Sequence, residues 1–206
     1  MNYDYLFKLL FIGDQSVGKT SFCHRLSENH YSKYSVQTIG IEFSTCYTKI
    51  KDDKLIKCQM WDTSGKKEYL PLVQSYYKGV AGIILMYSVD DEISFKRVEF
   101  WLNEINKHKK HNEEVSIFLI ANKIDKTNRV VSYEDGLKIA EKHKIHFFET
   151  SVKNNIDCHT IKKSICNIIF EKYNPNIGHT GIKLPIYLDL EKKKNDDNLN
   201  DCCCCF

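Results

Sequence analysis

The chain has 206 residues and a mass of 24.2 kDa, enough for one domain with a sizeable core and too little for two of ordinary size. Hydrophobic residues at 42% and charged ones at 28% exclude a wholly disordered, collagenous or disulfide-scaffold chain. The balance of 30 Lys+Arg against 27 Asp+Glu leaves a formal charge of +3, too small and too dispersed to argue for nucleic acid as the main partner.

The opening Met1-Asn-Tyr-Asp-Tyr5 has no basic leader, and the most apolar run, Gly82 to Tyr87, is far shorter than the roughly 20 residues of a spanning helix. The expectation is a protein that is neither secreted nor membrane-spanning. Leu6 to Ile12 is an apolar run that stops at Gly13, the pattern of a strand buried on both faces, and a helix is expected from about Lys19. Alternation over Glu42 to Ile50 and Leu55 to Trp61, separated by Lys51-Asp-Asp-Lys54, predicts a hairpin. Gly82 to Tyr87 and Val115 to Ala121 read as two more buried strands. Between them Phe95, Val98, Phe100, Trp101, Leu102 and Ile105 follow a helical period. Helical patterns recur at Tyr133 to His143 and Ile156 to Phe170, flanking a short strand at His146 to Glu149. Strand and helix alternate, so the expected class is α/β, with six strands in a mostly parallel sheet and helices on both faces. The domain is expected over 1–173. Beyond it, 174–206 holds Pro175, Pro185 and the polar block Glu191 to Asn198, which reads as a flexible tail.

Gly13-Asp14-Gln15-Ser16-Val17-Gly18-Lys19-Thr20 matches G-x-x-x-x-G-K-[ST] between a predicted strand and a predicted helix. Glycines at both ends let the backbone curl so that successive N–H groups, Ser21 at the loop's end included, face phosphate oxygens at a helix N-terminus. Lys19 is expected to bridge the β- and γ-phosphates, and the Thr20 hydroxyl to ligate Mg²⁺. Asp62, at the end of the strand Lys57 to Trp61, resembles a Walker-B aspartate that would reach the same metal through water. Asn122-Lys123-Ile124-Asp125 follows another apolar strand, at the carboxyl end where α/β sheets bind ligands. The Asp125 carboxylate can accept from both the ring N–H and the exocyclic amine of guanine, a pair that adenine lacks.

Together these segments resemble the small GTPases of the Ras superfamily, and within it the Rab branch, over residues 5 to about 172. The Rab character rests on Thr38-Ile-Gly-Ile-Glu-Phe43, Lys57-Cys-Gln-Met-Trp-Asp-Thr63, Ser75-Tyr-Tyr-Lys-Gly79 and Trp101-Leu-Asn-Glu-Ile105, with a cysteine-rich terminus. The resemblance implies a P-loop NTPase domain of the small G-protein type that binds GTP or GDP with Mg²⁺. It implies that Thr38 is the switch I threonine reaching the metal and the γ-phosphate only in the GTP state. Gly65, in Asp62-Thr63-Ser64-Gly65, then resembles the switch II glycine, and losing the γ-phosphate would release both loops. Glu149-Thr-Ser151-Val152-Lys153 is similar to the last guanine-binding segment, in which Ser151 braces the Asn122 loop and a backbone N–H near Val152 meets the base. Tyr31 resembles the aromatic residue over the base edge. Effectors, an exchange factor, a GTPase-activating protein and a GDP-dissociation inhibitor are the partners implied, through switch I and switch II.

One departure bears on turnover. After Asp62-Thr-Ser-Gly65 the family pattern continues Gln-Glu, and this chain has Lys66-Lys67. A glutamine can accept a hydrogen bond from the attacking water and donate to the γ-phosphate, whereas an ammonium has donors only. Lys66 at the catalytic position therefore leaves two readings, a hydrolysis-impaired switch or one completed by a partner. Gln15 and Ser16 stand where many relatives have smaller residues, and a side chain beside the γ-phosphate can obstruct the approach of water or a partner's arginine, although some Rab proteins tolerate the same pair.

Of nine cysteines, Cys23, Cys46, Cys58, Cys158 and Cys166 are scattered, as reduced thiols are in a cytosolic protein. The other four, Cys202 to Cys205, precede Phe206 and admit prenylation, metal binding or inert thiols. A metal site needs preorganised ligands that a flexible terminus lacks. By the resemblance they are geranylgeranyl acceptors, Cys203 and Cys204 in the Rab-type reading; the last four residues also satisfy C-a-a-X, and the unbroken run leaves Cys202 and Cys205 as alternatives. From Glu191 onward three Lys face four acids, so no polybasic patch assists a single chain and double prenylation is expected. The protein would then sit on the cytoplasmic face of membranes and cycle with the cytosol. An ATP-dependent P-loop kinase is a further reading, in conflict with Asn122-Lys-Ile-Asp125.

Overall fold

The computed structural model describes residues 3–34, 36–108 and 115–173. Apolar runs and alternating segments become six strands: β1 (Tyr5–Gly13), β2 (Ile41–Lys49), β3 (Leu55–Thr63), β4 (Gly82–Ser88), β5 (Ser116–Asn122) and β6 (His146–Thr150). They form one sheet in the order β2-β3-β1-β4-β5-β6, parallel except for β2, which pairs antiparallel with β3 through the expected hairpin. Helices α1 (Lys19–Glu28), α2 (Leu70–Gln74), α3 (Glu92–Lys96), α4 (Val98–His108), α5 (Tyr133–His143) and α6 (Cys158–Tyr173) cover it.

Continuous apolarity in β1 reflects coverage of both faces. Phe7, Leu9 and Phe11 point to a core completed by Phe22 and Leu26 of α1 and Ile161, Ile165 and Ile169 of α6. Leu10 and Ile12 point to the opposite core, with Val98, Trp101, Leu102 and Ile105 of α4 and Ala140 of α5. Each such side chain contributes roughly 1.5–3 kcal/mol by leaving water, so the two layers together hold the sheet between its helices.

Three segments differ from the sequence expectation. The helix expected over Phe95 to Ile105 is two, because Arg97 sits between them at φ −82°, ψ −3°, which opens the turn after α3. Between β3 and β4 lies the short α2, flanked by single 3₁₀ turns and carrying Pro71 in its first turn. Five residues are too few for a helical period to show. The last helix starts at Cys158, since Ile156 bridges back to Ser151, and Asn155 and Asp157 take φ of 55° and 57°.

The connection leaving β1 runs toward β3, and the one leaving β4 runs toward β5, so a crevice opens at the carboxyl ends of β1 and β4. The segments at the carboxyl ends of β1, β5 and β6 supply Lys19, Asn122 and Val152 to one cavity at that edge of the sheet. No helix among the described residues is long and apolar enough to cross a membrane. The tail 174–206, with Cys202 to Cys205, lies outside the described residues.

Candidate functional site

At the carboxyl end of β1 the loop from Gly13 to Thr20 curls over the start of α1, with Ser16 at φ 60° and Gly18 at φ 102°. A Cβ on Gly18 would lie 2.2 Å from the Asn122 amide nitrogen, so only glycine lets this loop pack against the β5 end. The Lys19 ammonium, 4% exposed, folds back and donates to the carbonyls of Gly13 at 2.9 Å and Asp14 at 2.6 Å. Burial holds its pKa down to about 8 against the pull of Asp62 and Asp14. An anionic ligand beside this buried ammonium would favour its charged form further.

Three oxygen-bearing side chains from three elements converge beside it. Thr20 Oγ1, on α1, lies 2.6 Å from Thr38 Oγ1 and donates to Asp62 Oδ2 at the end of β3. The Thr38 hydroxyl also donates to Asp62 Oδ2, at 3.3 Å. Asp62 is buried, which raises its carboxyl pKa, and its other oxygen, Oδ1, is buried without a hydrogen-bond partner. An orphaned carboxylate oxygen beside two hydroxyls is a hard-oxygen donor set, and it fits Mg²⁺.

The opposite end of the cavity is built on Asn122. Its amide donates to the Val17 carbonyl at 2.8 Å and its oxygen accepts from the N–H groups of Lys123, at 2.7 Å, and Val152, at 3.2 Å, which ties the first loop to the two that follow β5 and β6. Ser151 Oγ donates to Asp125 Oδ1 at 2.5 Å, and the Lys153 ammonium stands 3.8 Å from Oδ2, so the Asp125 carboxylate is held in one orientation. Between the two ends lies a cavity of about 390 Å³, lined at one end by Lys19, Thr20 and Thr38 and at the other by Asn122, Asp125 and Val152. Ser16, Ser21, Tyr31, Thr63, Ser64, Lys123 and Lys153 also reach its wall.

Seven expected residues, Gly13, Asp14, Val17, Asp62, Gly65, Lys66 and Ser151, are not among those lining the cavity. Asp14 turns its carboxylate away, accepting from the Trp101 indole at 2.7 Å and pairing with Arg97 at 2.8 Å. Val17 is fully buried, and its carbonyl accepts from the Asn122 amide. Gly65, at φ 77°, lies against the first loop so closely that a Cβ would be 2.5 Å from the Gly13 carbonyl oxygen. Lys66, whose backbone N–H donates to Ser64 Oγ at 3.3 Å, is not among the residues lining the cavity. The Val152 N–H donates to the Asn122 oxygen, at 3.2 Å.

Sequence reasoning missed Arg25 and Gln37. Arg25 donates to the carbonyls of Val152 and Lys153, at 3.1 and 3.2 Å, with its guanidinium 5.9 Å from the Tyr31 ring centre. Gln37 Nε2 donates to Gln15 Oε1 at 2.7 Å, and both side chains belong to residues lining the cavity. Neither has a local signal, since both contacts join segments distant in sequence.

The model of the Ras family matches residues 8–171. The chain is 40% identical over 172 residues to the Ras-related protein Rab-3 of Caenorhabditis elegans, covering 83% of this chain and 77% of that protein. It is 39% identical over 177 residues to human Ras-related protein Rab-3D, covering 85% and 80%. To the Bos taurus Ras-related protein Rab-3C it is 40% identical over 177 residues, covering 85% and 77%.

Proposed function

Since this chain belongs to the Ras family of small GTPases, in its Rab branch, we propose that it is a GTP/GDP switch that hydrolyses GTP and recruits effectors to membranes in vesicle traffic. One observation carries the reading: a single cavity joins a phosphate loop and an oxygen cluster at one end to an oriented carboxylate, Asp125, at the other.

In this reading Asp125 accepts from the guanine ring N–H and amine, Asn122 keeps the three loops in register, and Tyr31 covers the base edge. Lys19 leaves its carbonyl partners for the β- and γ-phosphates, whose negative charge stabilises the ammonium. Thr20, Thr38 and Asp62 would hold Mg²⁺, which neutralises phosphate charge when bound. The Thr38 hydroxyl and the Gly65 N–H report the γ-phosphate, so switch I and switch II order in the GTP state and loosen after hydrolysis.

Exposed apolar side chains support effector binding through those segments. Ile39 is 78% and Phe43 51% exposed, and Trp61 packs between Phe43 and Tyr76 with ring centres 4.9 Å apart on each side. An exchange factor, an activating protein and a GDP-dissociation inhibitor would use the same face. Two prenyl groups, on Cys203 and Cys204 or their neighbours Cys202 and Cys205, would place the protein on cytoplasmic membrane faces, from which it cycles through the cytosol.

A second reading follows from Lys66, where the family has the catalytic glutamine. Without an acceptor for the attacking water the chain would be a largely GTP-locked membrane adaptor. The test is the nucleotide carried by purified protein, followed by GTP against ATP competition and single-turnover hydrolysis. Guanine binding with measurable turnover supports the switch, and guanine binding with none supports the adaptor. Equal affinity for ATP overturns both.

A further inference from the structure

The switch II position carries an ammonium, yet two amides stand at the phosphate end of the cavity. Gln15 belongs to the phosphate loop and Gln37 directly precedes Thr38, and both line the cavity together with Lys19, Thr20 and Thr38, while Lys66 does not. Their side chains are joined, Gln37 Nε2 donating to Gln15 Oε1 at 2.7 Å. That bond leaves Gln37 Oε1 as an acceptor and Gln15 Nε2 as a donor, which is the pair of functions a single glutamine at position 66 would offer.

Both backbones are held. Thr38 is fixed to Thr20 and Asp62 through its hydroxyl, which sets the position of Gln37 one residue before it. Asp14, one residue before Gln15, is fixed by Trp101 and Arg97 through its carboxylate. Two tethered backbones lower the entropy that long amide side chains lose when they settle on a ligand.

We propose that the Gln15–Gln37 amide pair is catalytic in GTP hydrolysis, Gln37 Oε1 accepting from the attacking water and Gln15 Nε2 donating to a γ-phosphate oxygen. The inference rests on the GTPase reading above. The water oxygen bonds to the γ-phosphorus as the bond to the β–γ bridging oxygen breaks, and that oxygen leaves with the electron pair on GDP. The water's protons go to the released phosphate and to solvent, so neither amide changes its protonation. The pair orients the water and stabilises charge, the two tasks that phosphoryl transfer leaves to the protein.

The experiment uses the full chain with Gln37→Leu, Gln37→Glu and Gln15→Leu, each also combined with Lys66→Gln. Three quantities are read: affinity for GDP, affinity for a non-hydrolysable GTP analogue, and the single-turnover rate. Expected for Gln37→Leu is a rate roughly 10- to 100-fold lower with GDP affinity within about twofold, which separates a loss of chemistry from a loss of fold. Gln37→Glu keeps an acceptor and should recover part of that rate. Gln15→Leu should weaken the GTP analogue several-fold relative to GDP, because the donor meets only the γ-phosphate. With Lys66→Gln present the Gln37→Leu loss should shrink to under about threefold, the switch II amide now supplying the acceptor. Wild-type rates in Gln37→Leu and Gln15→Leu, or the same loss in both backgrounds, would overturn the proposal. Guanine binding by the wild type with no hydrolysis also overturns it, whereas no guanine binding at all overturns the GTPase reading itself.

Discussion

The indole Nε1 of Trp101 donates to the Asp14 carboxylate at 2.7 Å, joining α4 to the phosphate loop across 87 residues of sequence. Arg97 completes the clamp at 2.8 Å, and its Nη2 is otherwise buried without a partner. The Asp14 carboxylate thus works as an anchor behind the loop. Trp101→Phe keeps most of the ring volume and removes the donor. The expected outcome is a loss of about 1–3 kcal/mol in denaturant unfolding, because the buried carboxylate keeps only Arg97. An unchanged midpoint would show that the indole bond contributes nothing to holding the loop.

Asp125→Asn addresses base choice. Its amide can donate to the oxygen that replaces the guanine amine in xanthine, and Ser151 can still reach its carbonyl oxygen. Preference should move from guanine to xanthine nucleotides in a competition assay. Retained guanine selectivity in this variant would remove Asp125 from base recognition.

For Lys66→Gln, restoring an acceptor near the attacking water should raise the intrinsic rate without any partner. Loss of water orientation worth about 1.4–3 kcal/mol corresponds to roughly 10- to 150-fold in rate, and the Gln15–Gln37 pair should keep the gain at the lower end. A slower rate with GTP affinity preserved would mean that the Lys66 charge stabilises the transition state instead.

Lys19 makes nucleotide-free stability depend on pH. Burial lowers its pKa to about 8 from an ordinary 10.5, so between those values the unfolded chain holds a proton that the folded one has released. Stability should therefore rise with pH through that window, by on the order of 3 kcal/mol in full, and level off above it. Lys19→Met should lack the rise. Parallel denaturation curves for the two proteins across the window would contradict it.

Membrane attachment rests on the terminal cysteines. Changing Cys203, Cys204 and Cys205 together to Ser should move the protein from membranes to cytosol in cell fractionation and leave GDP affinity unchanged. Intact mass of the wild type from eukaryotic cells should carry two geranylgeranyl groups, and an unmodified mass would end the lipid reading.

The sequence by itself determined the elements and the ligand-facing segments. Gly13 to Thr20 announces itself because a phosphate loop is a local object, made by contiguous backbone and the helix that follows it. The strands ending at Asp62 and Asn122 are legible for a similar reason, since burial on two faces leaves an apolar run whatever the partners are. Helix α5 was readable to the residue from its period, and α2 was not, being shorter than two turns. Tertiary structure alone decided which way side chains turn once the segments meet. Thr20, Thr38 and Asp62 converge because β1 and β3 are neighbours in the sheet, a pairing no local pattern encodes. Asp14 faces α4 and Gln37 reaches Gln15 for the same reason: each bond closes a long loop of chain, and its geometry exists only after the sheet order has set which ends lie together.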